Sequence, residues 1–476
     1  MSHKPVFAVV GHPNKGKSSV VATLSQNDAI VIALEPGTTR QHQAYPLSVD
    51  GQILYTLVDT PGFQRPRRVL AWLEAHSLSA SDRAETVAAF VRQHSGDPRY
   101  HDECELLTPV LEGAGIIYVV DGSVPYSPEN EAEMTILRWT GQPSLALVNS
   151  IGADDHGDTW QAALSQFFQV VKRFNAVTAS FQQHLSLLKT FGQLEPDWER
   201  PLEQAINHLS NQRHQRRRQA AELTAQAVED MLLRREKQTL IVADASTASR
   251  ESLAGQLRQR WHDHQRQREE ALRLAIERLY QHNHIHRQGA LLTWQNDHDL
   301  FSERSRRAFG VSRSYLTTAG FGAGAAGGIG LDALTLGHSL GAGALIGGLV
   351  GAAGSYFYGD RLSFSALRLG PLQQGMQTAS FGPVQDSQFG YVVLGRAVDH
   401  WWRISHRNHA GQDLLQLENT DSHWLTRLDR TSRRDLQRAF EQCRKKGSLD
   451  RAMRQRLSLA VEASFQAYDD WQLNPT

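Results

Sequence analysis

Over roughly the first 190 residues, short wholly apolar runs alternate with stretches of helical spacing. Val6–Val10, Ile53–Val58, Ile116–Asp121 and Ser144–Asn149 are dominated by β-branched and aliphatic residues, as strands buried on both faces are. Glu129–Trp139 and Thr159–Phe168 space their apolar residues three and four apart, which predicts helices. Strand–helix alternation of this kind implies an α/β fold with a mainly parallel sheet. The connection from Phe63 to Gly115 is long, and the patterns Val69–Leu73 and Thr86, Val87, Phe90, Val91 predict a helical insert at about 64–114. Such an insert either covers the sheet or reports on whatever binds beside it.

Later the pattern changes. Leu202–Phe309 is rich in Gln, Arg, His, Glu and Leu, with spacings such as Leu272, Ala275, Ile276, Leu279, and predicts long helices. Ser314–Gly359 contains no Lys, Arg or Glu, and Asp332 divides it. Gly320, Gly324 and Gly328, then Gly343, Gly347 and Gly351, recur every four residues, which on helices makes smooth ridges for close contact. Each interior glycine costs about 1 kcal/mol against alanine in an exposed helix, so lipid or tight protein packing must compensate. Two accounts stay open. One is a Gly-rich hairpin in the membrane with Asp332 at its tip and Arg313 and Arg361 on the cytoplasmic side; the other is a soluble helix pair or a seam between two copies. Farther on, Tyr391–Leu394 suggests a short strand, Trp401 and Trp402 a core or interface anchor, and Leu425–Phe465 two charged amphipathic helices. The expected organisation is therefore an α/β domain over 1–195, a long helical region over 196–312, the apolar hairpin over 313–360 and a mixed, mostly helical region over 361–476.

Composition narrows the partners. In 476 residues Lys plus Arg and Asp plus Glu each number 50, so no net charge draws the whole chain to nucleic acid or to an acidic membrane. Arg213, Arg216, Arg217 and Arg218, followed by Arg234 and Arg235, form a local basic run that is either a solvated helix face or a contact for RNA or anionic lipid. His282, His284 and His286 lie two apart, a spacing that does not converge on a metal from a helix. Two distant cysteines, Cys104 and Cys443, suit a reducing cytoplasm, and the N-terminal apolar run lacks the features of a secretory signal.

The chemistry gathers after the first two strands. Gly11-His12-Pro13-Asn14-Lys15-Gly16-Lys17-Ser18 follows Val10 directly and has the phosphate-loop form G-x-x-x-x-G-K-S. Its amides, from Gly11 and Asn14 through Lys15, Gly16, Lys17, Ser18 and Ser19, are candidates for cradling phosphates. Lys17 is placed to reach the β- and γ-phosphates and the Ser18 hydroxyl to reach Mg²⁺. Asp59-Thr60-Pro61-Gly62 closes the second strand, with Asp59 as a Mg²⁺ anchor and the Gly62 amide as a γ-phosphate donor. Pro36-Gly37-Thr38-Thr39-Arg40 is a turn whose hydroxyls could reach Mg²⁺ only beside a γ-phosphate.

Together Gly-x-Pro-Asn-x-Gly-Lys-Ser, Pro-Gly-Thr-Thr-Arg and Asp-Thr-Pro-Gly resemble the Era and TrmE group of bacterial translation-factor-class GTPases. The whole chain resembles a bacterial family that joins such a G domain to a C-terminal domain of unknown function. The resemblance implies GTP and GDP as ligands, Mg²⁺ as cofactor, Thr39 as the switch residue on Mg²⁺ and slow hydrolysis helped by Lys17, Thr39 and Gly62. It also makes Asn14 a K⁺ ligand, whereas the residue itself can equally be a turn former after proline. Phe63 stands where many relatives carry a water-orienting glutamine and can form no such hydrogen bond. Asn149-Ser150-Ile151-Gly152 keeps the asparagine of the guanine-reading Asn-Lys-x-Asp but has glycine in place of the aspartate. Asp154 or Asp155 could substitute for it, or be plain loop residues, and Thr178-Ala179-Ser180 could form the loop beneath the base. The expected function is a regulatory GTPase that moves a C-terminal helical domain, with a membrane or membrane-protein partner through 314–359. The alternatives are an RNA- or ribosome-binding assembly GTPase and a nucleotide-binding scaffold without turnover. A homodimer is compatible with each.

Overall fold

A computed structural model of the chain describes residues 4–26, 41–49, 51–150, 152, 154–241, 247–281, 368–369, 376–384, 388–407 and 424–473. Thr39 with its turn, Ile151, the three spaced histidines and the whole Gly-rich segment lie outside the described residues. The chain divides into two compact units, one mainly residues 1–214 and the other mainly 215–280 with the C-terminal elements.

The first unit is built on a six-stranded sheet of order β2-β3-β1-β4-β5-β6. Its strands are β1 Val6–Val10, β2 Gln43–Val49, β3 Gln52–Asp59, β4 Gly115–Asp121, β5 Ser144–Asn149 and β6 Val170–Arg173. All neighbours are parallel except β2, which returns antiparallel along β3. The α/β expectation therefore holds, with two edge strands added that the hydrophobic pattern did not announce. β2 reads QAYPLSV and β6 reads VVKR, half-exposed sequences without a buried run, and the Pro46 of β2 is tolerated because it lies at an edge. The central strands alternate their side chains between two cores. Phe7, Val9, Ile117 and Val119 face α1 (Lys17–Ser25), α7 (Phe181–Leu194) and the start of α8 (Pro196–Leu233), while Ala8, Val10, Ile116, Tyr118 and Val120 face the other side.

That other side is covered by the insert, which is helical as expected: α2 Pro66–His76, α3 Arg83–His94 and α4 His101–Leu111. Val69, Leu73, Val87, Phe90, Leu106, Leu107 and Val110 enter the same core as Phe63. The helices α5 (Pro128–Trp139) and α6 (Gly157–Leu164) complete this layer, and Ser127 with Asn130 forms a reciprocal cap at the start of α5.

The second unit is largely helical among the described residues. The later half of α8 packs with α9 (Thr247–Leu279), α10 (Phe389–Ser405), α11 (Trp424–Arg427), α12 (Arg430–Lys446) and α13 (Arg451–Leu473) around one core. Two expectations need correction. A strand, β7 Glu236–Ile241, lies within the region read as long helices and pairs antiparallel with β9 (Met376–Phe381), which also pairs with β8 (Arg368–Leu369). A partner about 140 positions away supplied the ladder that Gln- and Lys-containing local sequence does not advertise. Conversely, Tyr391–Leu394 is no strand but part of α10, where almost every residue from Phe389 to Trp401 is buried. A short apolar run wholly inside a core carries no periodicity to tell helix from strand.

Trp401 is a core anchor: its ring stacks on Phe465 at 4.2 Å and its Nε1 donates to the Tyr280 hydroxyl at 2.8 Å. Of the basic run on α8, Arg213 lies over the Phe181 ring, Arg216 is half-buried, Arg217 meets Gln466 and Glu462, and Arg218 is exposed, so most of the run packs against the protein. Among the described residues no helix is long and apolar enough to cross a membrane.

Candidate nucleotide site

The phosphate loop folds as its glycines require. Gly11 has φ +144°, and a Cβ there would lie 2.4 Å from the Val119 carbonyl oxygen; Gly16, which caps α1, has φ +80°. Asn14 is exposed with φ +62°, a left-handed conformation that asparagine tolerates better than most residues. The turn-forming account of Asn14 thus has a visible backbone reason.

Parallel pairing of β1 with β3 sets Val9 beside Asp59 and brings the two phosphate-and-metal motifs to one sheet edge. Ser18 Oγ donates to Asp59 Oδ2 at 2.7 Å. A hydroxyl and a carboxylate this close form a hard-oxygen pair of the kind Mg²⁺ takes, so the residues present fit the ion. Thr60 Oγ1 donates to the Val9 carbonyl at 2.8 Å and fastens the second motif to β1. Gly62 presses on Pro13, where a Cβ would come within 2.5 Å, and the Phe63 amide donates to the Gly11 carbonyl at 3.4 Å. Lys17 is buried, and its ammonium donates to the Gly11 and His12 carbonyls at 3.3 and 3.1 Å. Burial lowers its pKa, opposed by the nearby charges of Asp59, Glu133 and Asp102.

Around the base-reading position, Asn149 bridges two loops. Its Nδ2 donates to the Lys15 carbonyl at 3.2 Å and its Oδ1 accepts from the Ala176 amide at 3.2 Å. Lys15 lies 3.9 Å from Asp121, itself held by Ser123. The loop that meets Asn149 is thus Asn175-Ala176, while Thr178-Ala179-Ser180 leads into α7, where Ser180 is the cap. The expectation for that tripeptide is corrected accordingly. Asp155 accepts from the Gly157 amide at the start of α6 and pairs with Arg173, and Asp154 is exposed. At Gly152 a Cβ would sit 2.8 Å from Ser123 Oγ, so there is no space for a larger residue without movement.

Glu133, Tyr118 and Glu103, which no motif flagged, belong to this region, and His12 of the phosphate loop meets one of them. His12 Nδ1 lies 2.8 Å from Glu133 Oε1, and the Tyr118 hydroxyl donates to Glu133 Oε2 at 2.7 Å, which ties the phosphate loop to α5 through a buried carboxylate. Glu103 of α4 is fully buried, and its Oε1 accepts from the amides of Gln64 and Arg65 at 3.0 and 2.6 Å. The sequence signal was available only as acidic residues in otherwise apolar helical stripes, which is equally the look of a solvated face.

Residues 161–464, well over half the chain, match the family described as "Domain of unknown function (DUF3482)". The chain belongs to the DUF3482 family. In this DUF3482 protein residues 6–150 match the family described as "50S ribosome-binding GTPase". The N-terminal unit is a GTPase domain, as its motifs implied, and is similar in sequence to proteins called GTPase Der. The relatives called GTPase Der include one from Mycoplasma pneumoniae, 32% identical over 143 residues, which are 30% of this chain and 26% of that protein. Another, from Halorhodospira halophila, is 44% identical over 84 residues, 17% of this chain and 18% of the relative. The alignments thus span about a quarter or less of those curated relatives. A crystal structure of Era from Aquifex aeolicus with bound GDP·AlF4⁻ overlaps 49% of this chain and 70% of that one at 17% identity and a TM-score of 0.29.

Proposed function

We propose that this protein is a regulatory GTPase that hydrolyses GTP with Mg²⁺ and couples nucleotide state to its helical C-terminal unit. The observation that carries the reading is the convergence of Lys17, the Ser18–Asp59 pair and Gly62 at the C-terminal ends of β1 and β3, where open parallel sheets bind ligands. In this reading the amides of the phosphate loop, from Gly11 to Ser19, wrap the phosphates. Lys17 leaves the carbonyls of its own loop for phosphate oxygens, and the Gly62 amide meets the γ-phosphate. Ser18 and Asp59, joined by Thr39, hold Mg²⁺, which when bound neutralises charge on the β- and γ-phosphates. Asn149 keeps the base-side loop joined to the phosphate loop. Phe63, apolar and buried, cannot orient the attacking water, so intrinsic turnover is slow.

Purified protein with Mg²⁺ should release phosphate from GTP, and the measurement is repeated with and without K⁺. Stimulation by K⁺ that disappears in Asn14→Ala, with nucleotide affinity kept, would make Asn14 a K⁺ ligand; equal stimulation in the variant would leave only its turn role. Nucleotide binding with no phosphate release under either condition would instead favour a scaffold.

A second reading, contact with an anionic membrane or a membrane protein, is favoured by the uncharged character of Ser314–Gly359 apart from Asp332 and His338. The α12 helix adds seven basic and two acidic residues, with Arg430, Arg434 and Arg438 exposed on one side and Leu436, Ala439, Phe440 and Cys443 buried on the other. Cell fractionation and liposome flotation test it, and a protein that stays wholly soluble and binds no vesicle overturns it. Salt-dependent RNA binding in place of vesicle binding would move the reading to ribosome assembly.

A further inference from the structure

The turn that follows Asp59 is held from two sides. On one, Gly62 lies against Pro13 and the Phe63 amide reaches the Gly11 carbonyl, so the turn rests on the phosphate loop. On the other, Phe63 is buried among residues of the insert, and Glu103 accepts the next two amides, those of Gln64 and Arg65. Packing alone would not demand a carboxylate at this place. Glu103 is 0% exposed, its Oε1 accepts both bonds, and its Oε2 has no hydrogen-bond partner among the described residues. A buried polar atom left unsatisfied is unfavourable by about 1–3 kcal/mol, and a glutamine or an apolar residue would avoid the charge. What the carboxylate provides is a strong acceptor for two adjacent amides at the start of α2, where Arg65 is the N-cap and no intrahelical carbonyl is available to them.

We propose that Glu103 is a positioning residue through which the helical insert sets the turn after Asp59, keeping Gly62 and Phe63 seated on the phosphate loop and so governing GTP hydrolysis. The proposal rests on the GTPase reading above for its catalytic part, and on the observed geometry alone for its positioning part. Glu103 touches neither nucleotide nor metal; it acts by fixing the backbone that carries the Gly62 amide. Because the phosphate loop and the insert then share one short segment, a change at the nucleotide reaches α4 by moving Gln64 and Arg65 away from Oε1. The insert becomes a listener to nucleotide state as well as a cover for the sheet.

The test uses the full chain and two variants, Glu103→Gln and Glu103→Ala. Amide hydrogen exchange is measured at Gln64 and Arg65 without nucleotide, with GDP and with a non-hydrolysable GTP analogue, and GTP turnover is measured alongside. Glu103→Ala should lose protection at these two amides while the amides of α1 keep theirs, and its kcat should fall about tenfold with a smaller change in KM. Glu103→Gln, whose amide oxygen still accepts, should recover part of both, which a general loss of folding would not allow. Unchanged protection in Glu103→Ala overturns the proposal. So does lost protection with wild-type kcat. If the wild type hydrolyses no GTP, the GTPase reading fails and takes the catalytic part with it, while the exchange result still decides the positioning part.

Discussion

The two units bury charge differently. In the GTPase unit Lys17, Thr60, Asn149 and Glu103 bond to backbone, while Asp59 bonds to Ser18 and Glu133 to His12 and Tyr118. In the second unit the charges bond to one another, both within helices and across them. Glu269 of α9 accepts from Arg396 of α10 at 2.6 Å and from Arg273 at 2.7 Å. One turn on, Asp399 accepts from Arg403 at 2.9 Å and from the Tyr468 hydroxyl of α13 at 2.7 Å. His400, buried between them with Arg273 close by, has its pKa lowered to about 3 by burial and that neighbouring charge, and so is neutral at physiological pH. Paired charges specify how α9, α10 and α13 meet. Charges bonded to loop backbone are free to change partners when a ligand arrives, which is what a binding site needs.

The largest expected effect breaks the paired kind. Glu269→Leu removes the carboxylate from the buried Arg396 guanidinium and from the partly exposed Arg273, and should destabilise the second unit by about 3 kcal/mol in denaturant unfolding. The double variant Glu269→Leu/Arg396→Leu should lose less than the sum of the single losses, because the buried Arg396 charge goes with its carboxylate and only the partly exposed Arg273 loses its contact to Glu269. Additive losses would mean that the pair contributes only packing.

In the first unit the same kind of removal should affect chemistry more than stability. Lys17→Ala and Asp59→Ala are each expected to lower GTP turnover by about 10²–10³-fold or more. Lys17→Ala should lower the melting temperature of the nucleotide-free protein little, since among the described residues its desolvated ammonium bonds to carbonyls of its own loop. Wild-type turnover in either variant would remove these residues from the site.

A smaller effect concerns the base. With glycine at 152 and Asp155 engaged at the start of α6, discrimination of GTP over ATP should be weaker by about 2–3 kcal/mol than a site with a guanine-reading carboxylate gives. Titration of both nucleotides checks it; a full guanine preference would mean that exposed Asp154 moves to the base.

The smallest effect is a pH dependence at Glu103. Burial raises its carboxyl above the usual range, Asp102 adds to this, and the Arg65 and Gln64 amides work against it. The native state therefore holds this proton more tightly than the unfolded chain. Its contribution to stability is greatest below the unfolded value and is lost as pH rises through the raised native value. Glu103→Gln carries no such slope, so its stability relative to wild type should rise with pH across that window and then level off. A pH-independent difference between the two would show that Glu103 titrates alike folded and unfolded.

How much of this was legible beforehand follows from the range of the interactions. The four central strands, the phosphate loop and Asp59 were readable because each is a local pattern: a run of apolar residues, then a fixed spacing of Gly, Lys, Ser or Asp imposed by phosphate and metal geometry. The insert helices were readable for the same reason, since Val69, Leu73, Val87 and Phe90 keep helical spacing. The strand β7 and the helical state of Tyr391–Leu394 were not, because partners far along the chain decided them. The edge strand β2 pairs with its immediate neighbour β3, Val49 opposite Gln52, and escaped notice because its half-exposed residues, Pro46 among them, form no buried run.

By itself the sequence determined the four central strands of the GTPase unit's sheet, its phosphate loop, the Asp59 motif and the missing guanine carboxylate, each of them set by residues close together in the chain. Only the tertiary structure decided that Glu103 meets Gln64 and Arg65, that Glu133 meets His12, that Asn149 joins Lys15 to Ala176, and that Glu269 lies between two arginines. Those side chains look like ordinary polar positions until folding buries them. Once water is excluded, a carboxylate must find donors, and which donors it finds is a property of packing between elements and not of any local pattern.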